Sequence, residues 1–227
     1  IMLRTFYDLG YNVEWRVINA AEYGCAQKRR RTFIFAWKKN LNYNAISQYT
    51  PFQIMYIEGI FARNFPIERN QINRNKLNQD VDLRKYKDTV EMTENFKCQF
   101  YNTGVMINGI VNTLESIPII EPSIPLREIR EEREGLNEYF LTETQIDKFK
   151  SLRKGKSVPR KRPNGESYTY SEGNMAFPDS LDSPGRTMLT SEASINRSTH
   201  VIKDWETNNL RFITPVEAER LQSFPKN

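Results

Sequence analysis

The chain has 227 residues, 38% of them hydrophobic and 27% charged, and its 33 Lys and Arg against 28 Asp and Glu give a formal charge of +5. That length supports one large or two small domains with a buried core, and the composition is ordinary for a globular protein. No apolar run approaches the roughly 18 residues of a membrane span, and no signal-peptide pattern opens the chain. Cys25 and Cys98 offer neither metal spacing nor a disulfide framework, and with His200 the single histidine no metal site is expected. These exclusions leave a reduced, cytoplasmic protein whose basic balance, with a pI near 9.1, favours a polyanionic partner.

In chain order, Met2, Leu3, Phe6 and Leu9 have helical spacing and Gly10 is a stop signal. Val13, Trp15 and Val17 alternate with Asn12, Glu14 and Arg16, the pattern of a half-buried strand, and residues 32–37 form a compact apolar run suited to a second strand. Residues 38–80 are polar and Asn-rich apart from 52–61 and read as a crossing segment. Strands are expected at 96–101, 104–111 and 117–120, with a turn at Asn108-Gly109. The alternating Arg and Glu of 127–134 read as a solvated helix face. A helix is expected over 138–152, with Thr142 and Gln145 as a capping box and Ile146, Phe149 and Leu152 along one face. Pro163-Asn164-Gly165 marks a turn before a strand at 168–170, residues 172–200 read as loop, and Thr214, Pro215 and Glu217 start a last helix. There is no internal repeat.

Charge is concentrated in residues 150–162, where Lys150, Arg153, Lys154, Lys156, Arg160, Lys161 and Arg162 occur without one acid. A phosphate backbone is the natural counterpart of such a run, with Lys154, Lys156 and Arg160 as the chosen contacts. Cys25 lies beside the cluster Lys28-Arg29-Arg30-Arg31, which can lower a thiol pKa.

Two blocks carry a family resemblance. Residues 211–225, Arg-Phe-Ile-Thr-Pro-Val-Glu-Ala-Glu-Arg-Leu-Gln-Ser-Phe-Pro, resemble the late Arg-x-Leu-Thr-Pro-x-Glu-x-x-Arg-Leu-Gln-x-Phe-Pro block of the DNA cytosine-5 methyltransferases, with Ile213 at a usual Leu and Ser223 at a usual Gly. Gln27, Arg29 and Arg31 are similarly in register with the family's Gln-x-Arg-x-Arg block. In that family the stretch between these blocks selects the DNA target. The resemblance implies an α/β N-terminal edge of a Rossmann-like methyltransferase domain plus a mixed, β-rich α+β target-recognition domain. The boundaries expected on it are 1–40 for the edge of the catalytic domain, 41–80 for the crossing segment, 81–205 for target recognition and 206–227 for the start of the helix leading back.

The same resemblance assigns roles. Cytosine C5 is poorly nucleophilic, so the family attacks C6 of a flipped base with a cysteine thiolate and must stabilise charge on the ring. Arg31 would approach the cytosine O2 edge, Arg29 would brace the cysteine loop or a phosphate, and Gln27 would hold the local backbone. Cys25 precedes Gln27 at a variable site and is not the nucleophile. Arg186, Thr187, Thr190 and Ser191 belong to an element resembling the family's Thr-Leu recognition segment, and with Asn196, Arg197, Ser198 and Thr199 they are the expected DNA contacts. Arg220 pairs with Glu217 or reaches a phosphate.

The family's Phe-x-Gly-x-Gly loop for S-adenosylmethionine, its Pro-Cys-Gln loop and its Glu-Asn-Val segment do not occur here. The expectation is therefore a C-terminal part of a bacterial restriction–modification enzyme, inactive alone, binding no cofactor itself and nucleoid-associated when on duplex DNA. It would depend on the missing catalytic half. The other readings are a natural subunit of a split methyltransferase and a non-catalytic DNA-binding specificity module.

Overall fold

The computed structural model describes residues 1–41, 48–69, 77–132 and 135–225. Two compact units emerge: residues 1–23 with 30–121, and residues 24–29 with 122–227. The strands at 11–38 and those beyond 77 belong to one sheet.

The first unit is built on the antiparallel order β2-β1-β4-β5-β3, formed by β1 (Tyr11–Asn19), β2 (Arg30–Lys38), β3 (Leu77–Asp82), β4 (Thr103–Ile107) and β5 (Ile110–Leu114). Helix α1 (Met2–Asp8) precedes it and stops as expected at Gly10, whose φ is +79°. β1 and β2 pair from Tyr11↔Lys38 to Asn19↔Arg30. The expected turn holds β4 to β5, with Asn108 at φ 49° and Gly109 at φ 83°, the left-handed pair that a two-residue hairpin requires.

The unit is mixed α/β with an antiparallel sheet. Two strand expectations are corrected. Residues 96–101 form no strand; their apolar side chains, Phe96 and Phe100, instead pack against the core of Leu3, Val13, Trp15, Leu83 and Met106. Residues 117–120 contribute only an isolated bridge, Ile67↔Pro118. In addition β3 occupies a stretch read as part of the polar crossing, and its ladder to β5 shifts register between 78 and 81.

β1 is buried on both faces, not half-buried as its alternation implied. Glu14 and Arg16 are each 1% exposed. The chain segment after Thr50 explains this. Thr50 caps α2 (Pro51–Gln53), which runs through a π turn at Ile54–Glu58 into α3 (Ile60–Asn64). Glu14 accepts from the amides of Ile60 (3.1 Å) and Phe61 (3.2 Å), and Arg16 donates to the carbonyls of Met55, Phe61 (3.3 Å) and Phe65 (2.6 Å). The strand's polar face therefore satisfies the open ends of a short helical segment. Burial pushes the Glu14 carboxyl above the ordinary carboxylate range despite those amides, and it lowers Arg16 although Glu14 opposes the change. Gly59 is required at the contact, because a Cβ there would lie 2.5 Å from Glu14 Oε1.

The second unit contains α5 (Glu143–Arg153), the hairpin β6 (Lys156–Lys161) with β7 (Ser167–Glu172), the short pair β8 (Val201–Lys203) with β9 (Leu210–Phe212), and α6 (Pro215–Leu221). (Helix α4, Thr89–Asn95, belongs to the first unit.) Both expected capping boxes form, Thr142 with Gln145 and Thr214 with Glu217. Helix α5 begins five residues later than expected because Leu136–Tyr139 is a 3-10 turn. Leu126–Ile129 is also a 3-10 turn rather than a solvated α-helix face, and it buries Leu126 and Ile129; residues 133–134 of that expected helix lie outside the described ones. Two apolar clusters hold the unit, one around Leu126, Ile202, Ile213 and Leu221, the other around Leu141, Phe149 and Val201.

Candidate nucleic-acid interface

The loop Gly24–Arg29 is woven into the second unit through Gly185. Gly185 donates to the Ala26 carbonyl (2.8 Å) and accepts from the Lys28 amide (2.7 Å), an isolated parallel bridge that holds Gln27 between them. Gln27 is buried, and its Nε2 reaches the Leu221 carbonyl at 3.5 Å. Arg29 donates to Gln27 Oε1 and to the Met188 carbonyl, each at 3.4 Å, while Thr187 Oγ1 donates to the Lys28 carbonyl at 2.7 Å. The Gln-x-Arg residues and the 186–192 segment are therefore one hydrogen-bonded layer. Only glycine fits at its centre: a Cβ on residue 185 would stand 2.7 Å from Leu221 and 3.0 Å from Leu126. The backbone bridge, not a side chain, makes this contact, so no periodicity in the sequence announced it.

Arg31 lies in the first unit, at the start of β2, exposed and donating to the Arg30 carbonyl at 2.7 Å. Cys25 is half-buried and forms no disulfide.

The segment 186–200 folds back onto itself, and this changes the reading of its polar residues. Asp179 is a hub: it takes Arg153 Nη2 at 2.8 Å, Arg186 Nε at 2.8 Å and the Val201 amide at 2.9 Å. Burial alone would raise the Asp179 carboxyl, but the hydrogen bond and charge of Arg186, with the charge of Arg153, hold it below the ordinary range. Arg153, one of the seven cations of the basic run, is thus buried structure rather than a phosphate contact. Arg186 also donates to the carbonyls of Ser198 (3.1 Å) and Thr199 (3.1 Å).

Asn196 makes a local knot: its Nδ2 donates to Ser191 O (2.9 Å) and Thr199 Oγ1 (2.7 Å), and its Oδ1 accepts from the amides of Ser198 and Thr199. Thr199 is buried, donating to Ser194 O at 2.6 Å. Arg197 clasps Glu172 (2.9 Å), the Lys154 carbonyl (3.1 Å) and the Gly173 carbonyl. Arg186, Asn196, Arg197 and Thr199, expected as base readers, therefore have their polar atoms engaged in shaping the loop. The exposed residues are Thr190, Ser191, Lys154, Lys156 and Arg160. Thr187 and Ser198 are half-buried.

The late motif block is a second knot. Arg211, 1% exposed, meets Glu217 at 2.7 and 2.8 Å and Asp204 at 3.3 Å. The Glu217 carboxylate also accepts from the amides of Thr214 and Glu131. The expected Arg220–Glu217 pair is corrected on this ground: Glu217 is already taken by Arg211, and Arg220 donates to the carbonyls of Ile129 (3.2 Å) and Arg130 instead.

Two clefts bear on where a methyl donor could sit. One, lined by Val17, Asn19, Tyr23, Arg30 and Asn102, has a volume of about 100 Å³, below the range of cofactor sites. The other, about 530 Å³, is bordered by Arg130, Glu131, Asp204 and Trp205, with Asp204 committed to Arg211. Neither is lined by a glycine-rich strand-to-helix turn, so the residues of these two clefts do not fit S-adenosylmethionine. Among the described residues no group of His, Cys, Asp and Glu could hold a metal ion, and no helix is long and apolar enough to cross a membrane.

Comparison with known proteins gives this geometry its context. The model of the family "C-5 cytosine-specific DNA methylase" matches residues 1–227. It assigns the whole chain to the methylase domain, which corrects the expectation of a C-terminal part. The chain is 47% identical over 232 residues to the type II methyltransferase M.Sau3AI of Staphylococcus aureus, a match covering 100% of this chain and 54% of that relative. A match of 32% identity links it to the type II methyltransferase M.HgiBI of Herpetosiphon aurantiacus over 37% of this chain and 20% of that one. M.MthTI of Methanothermobacter thermautotrophicus is 46% identical over 41 residues, 18% of this chain and 12% of the relative. The chain thus spans about half the length of M.Sau3AI. No solved structure matches it. With a family model running its full length and a relative 47% identical along all of it, this protein belongs to the C-5 cytosine-specific DNA methylases.

Proposed function

We propose that this chain works in a restriction–modification enzyme that methylates C5 of cytosine in duplex DNA, with S-adenosylmethionine as the methyl donor. Its own residues support the target cytosine and grip the duplex. The attacking thiolate and the cofactor pocket lie outside these 227 residues, whose sequence has no Pro-Cys-Gln or Phe-x-Gly-x-Gly segment, and the chain alone transfers no methyl group. The observation that carries the reading is the Gly185 bridge. It fixes Gln27 and Arg29, which match a family motif, against the polar segment 186–192 through bonds of 2.7–2.8 Å.

In this reading Gln27 keeps the loop backbone in place and Arg29, braced on Gln27 and Met188, presents charge beside it. Arg31 addresses the O2 edge of the flipped cytosine, where a guanidinium that never loses its proton stabilises charge developing on the ring. Thr190 and Ser191 face the duplex, and Lys154, Lys156 and Arg160 neutralise phosphates. Arg186, Asn196, Arg197 and Thr199 shape the loops that carry these contacts.

The test is Arg31→Ala in the complete enzyme, scored by transfer of a labelled methyl group to a cytosine-containing duplex and by duplex affinity. The expected result is a fall in methyl transfer of about 100-fold with affinity changed less than about threefold. Equal losses in both would make Arg31 a plain binding residue and the chain a specificity module.

A further inference from the structure

The turn between β8 and β9 displays a tryptophan. Of the three in the chain, Trp15 and Trp37 are 6% and 7% exposed, whereas Trp205 is 62% exposed. Its turn is firmly built. Asp204 Oδ1 accepts from the amide (3.0 Å) and the hydroxyl (2.9 Å) of Thr207. The Asn208 amide donates to the Asp204 carbonyl at 3.0 Å, and Asn208 takes a left-handed φ of 61°. The other Asp204 oxygen meets Arg211 Nε at 3.3 Å, which ties the turn to the buried Arg211–Glu217 pair. A large amphipathic ring held in water on a stiff base is the usual furniture of a binding surface.

Trp205 borders the cleft of about 530 Å³, a volume within the range of small-ligand sites. Leu136, itself buried, gives that cleft an apolar wall. Arg130 lies over the indole at 5.1 Å, so the ring already accepts a guanidinium from within the chain. Four carboxylates and two guanidiniums line the cleft, on a chain whose formal charge is +5. Asp204 and Arg211 are spent on each other and on Glu217. Glu132 and Glu206 are exposed, and among the described residues neither has a partner. A negative cleft repels the phosphates of a nucleic acid. Among the described residues no group of acids could hold a metal ion, so the charge calls for a cation that brings its own apolar body. Two carboxylates alone would be solvated surface. Beside a fixed indole and a leucine they complete the parts that recognise an organic cation.

We propose that the Trp205 cleft binds an organic cation, a guanidinium or ammonium group on an aliphatic stem. The stem lies against Leu136 and the ring surface that Arg130 leaves open, and the charge is met by Glu132 and Glu206. A basic polypeptide segment and a free polyamine both supply this chemistry. The assignment is independent of how the chain meets DNA, because its residues are neither the motif residues nor the basic run.

The test uses the 227-residue chain with nitrogen-15 in its tryptophans, whose three indole N–H signals are followed by NMR and assigned with W205F. Spermidine and the peptide acetyl-Gly-Arg-Arg-Gly-amide are titrated separately, with magnesium chloride at matched ionic strength as the control. At least one organic cation is expected to move the Trp205 signal saturably while the Trp15 and Trp37 signals stay in place, and magnesium is expected to give no saturable shift. Saturation at lower concentration by the peptide identifies a polypeptide source, and by spermidine a polyamine. E132Q with E206Q, two exposed changes, is expected to weaken the binding about tenfold. A Trp205 signal that neither organic cation moves, that magnesium moves equally, or that responds with undiminished affinity in E132Q/E206Q overturns the proposal. The wild-type titration decides by itself whether the cleft binds, whatever the variants do to folding.

Discussion

The two long hairpins of this protein use polar side chains in opposite ways. In β1–β2 the polar residues of the inner strand, Glu14 and Arg16, are almost wholly buried and exhaust themselves on the backbone of residues 55–65. In β6–β7 the polar residues are exposed and pair with one another across the ribbon. The first arrangement turns alternation into internal scaffolding, while the second holds charge at the surface in a fixed geometry. Sequence alternation is the same signal in both; what differs is whether another segment arrives to use the outward groups.

That contrast is broken most severely at Arg16. Arg16→Ala strands the carbonyls of Met55, Phe61 and Phe65 and leaves Glu14 buried without its neighbouring charge, so a loss of about 3–5 kcal/mol in urea unfolding is expected. A loss under about 1 kcal/mol would mean that water replaces the guanidinium there. Next comes Gly185→Ala, where the new methyl group meets Leu221 and Leu126; a loss of about 1–3 kcal/mol is expected, with fraying of the 24–29 loop visible in amide exchange.

Acid sharpens the comparison at an intermediate scale. Asp179 and Asp204, with carboxyls held below 3.8, contribute stability to the second unit that is present above that value and lost as pH falls through their lowered values. Glu14, raised above 4.5, has the opposite sign: its ionised form costs the first unit stability at neutral pH, and the cost is relieved as pH falls through its raised value. Pulsed amide exchange after equilibration at pH 7, 5 and 3 should show the second unit loosening first. Simultaneous loosening would mean other groups dominate. The smallest effect belongs to the exposed ribbon. Lys161→Ala, on the open face, should shift thermal stability by no more than about 0.5 kcal/mol, and a larger shift would make the hairpin part of the core.

Local signals were legible in the sequence and distant ones were not. The capping boxes at Thr142 and Thr214, the stop at Gly10 and the Asn108-Gly109 turn depend on residues within four positions of one another, and each is present. The burial of Glu14 and Arg16 depends on partners more than 38 positions away. Likewise Asp179 gains its importance only when Arg153 and Arg186 converge on it. Around the 24–29 loop, Gln27 and Arg29 stood out by their motif, whereas Gly185 makes its contact through its missing side chain and its backbone. Arg197 attracted notice as a base reader because its sequence neighbours are short and polar; it anchors the hairpin because Glu172 is within reach.

The six-residue visit of Gly24–Arg29 to the second unit also bears on how the protein is made. The bridging partner of Ala26 and Lys28 is Gly185, which leaves the ribosome more than 150 residues later. Until then this early loop has no docking surface, and a polypeptide beginning at residue 122 would lack the loop that bridges to Gly185. The second unit is therefore a composite of early and late chain, one that a synthetic peptide of residues 24–29 could complete only by complementation in trans.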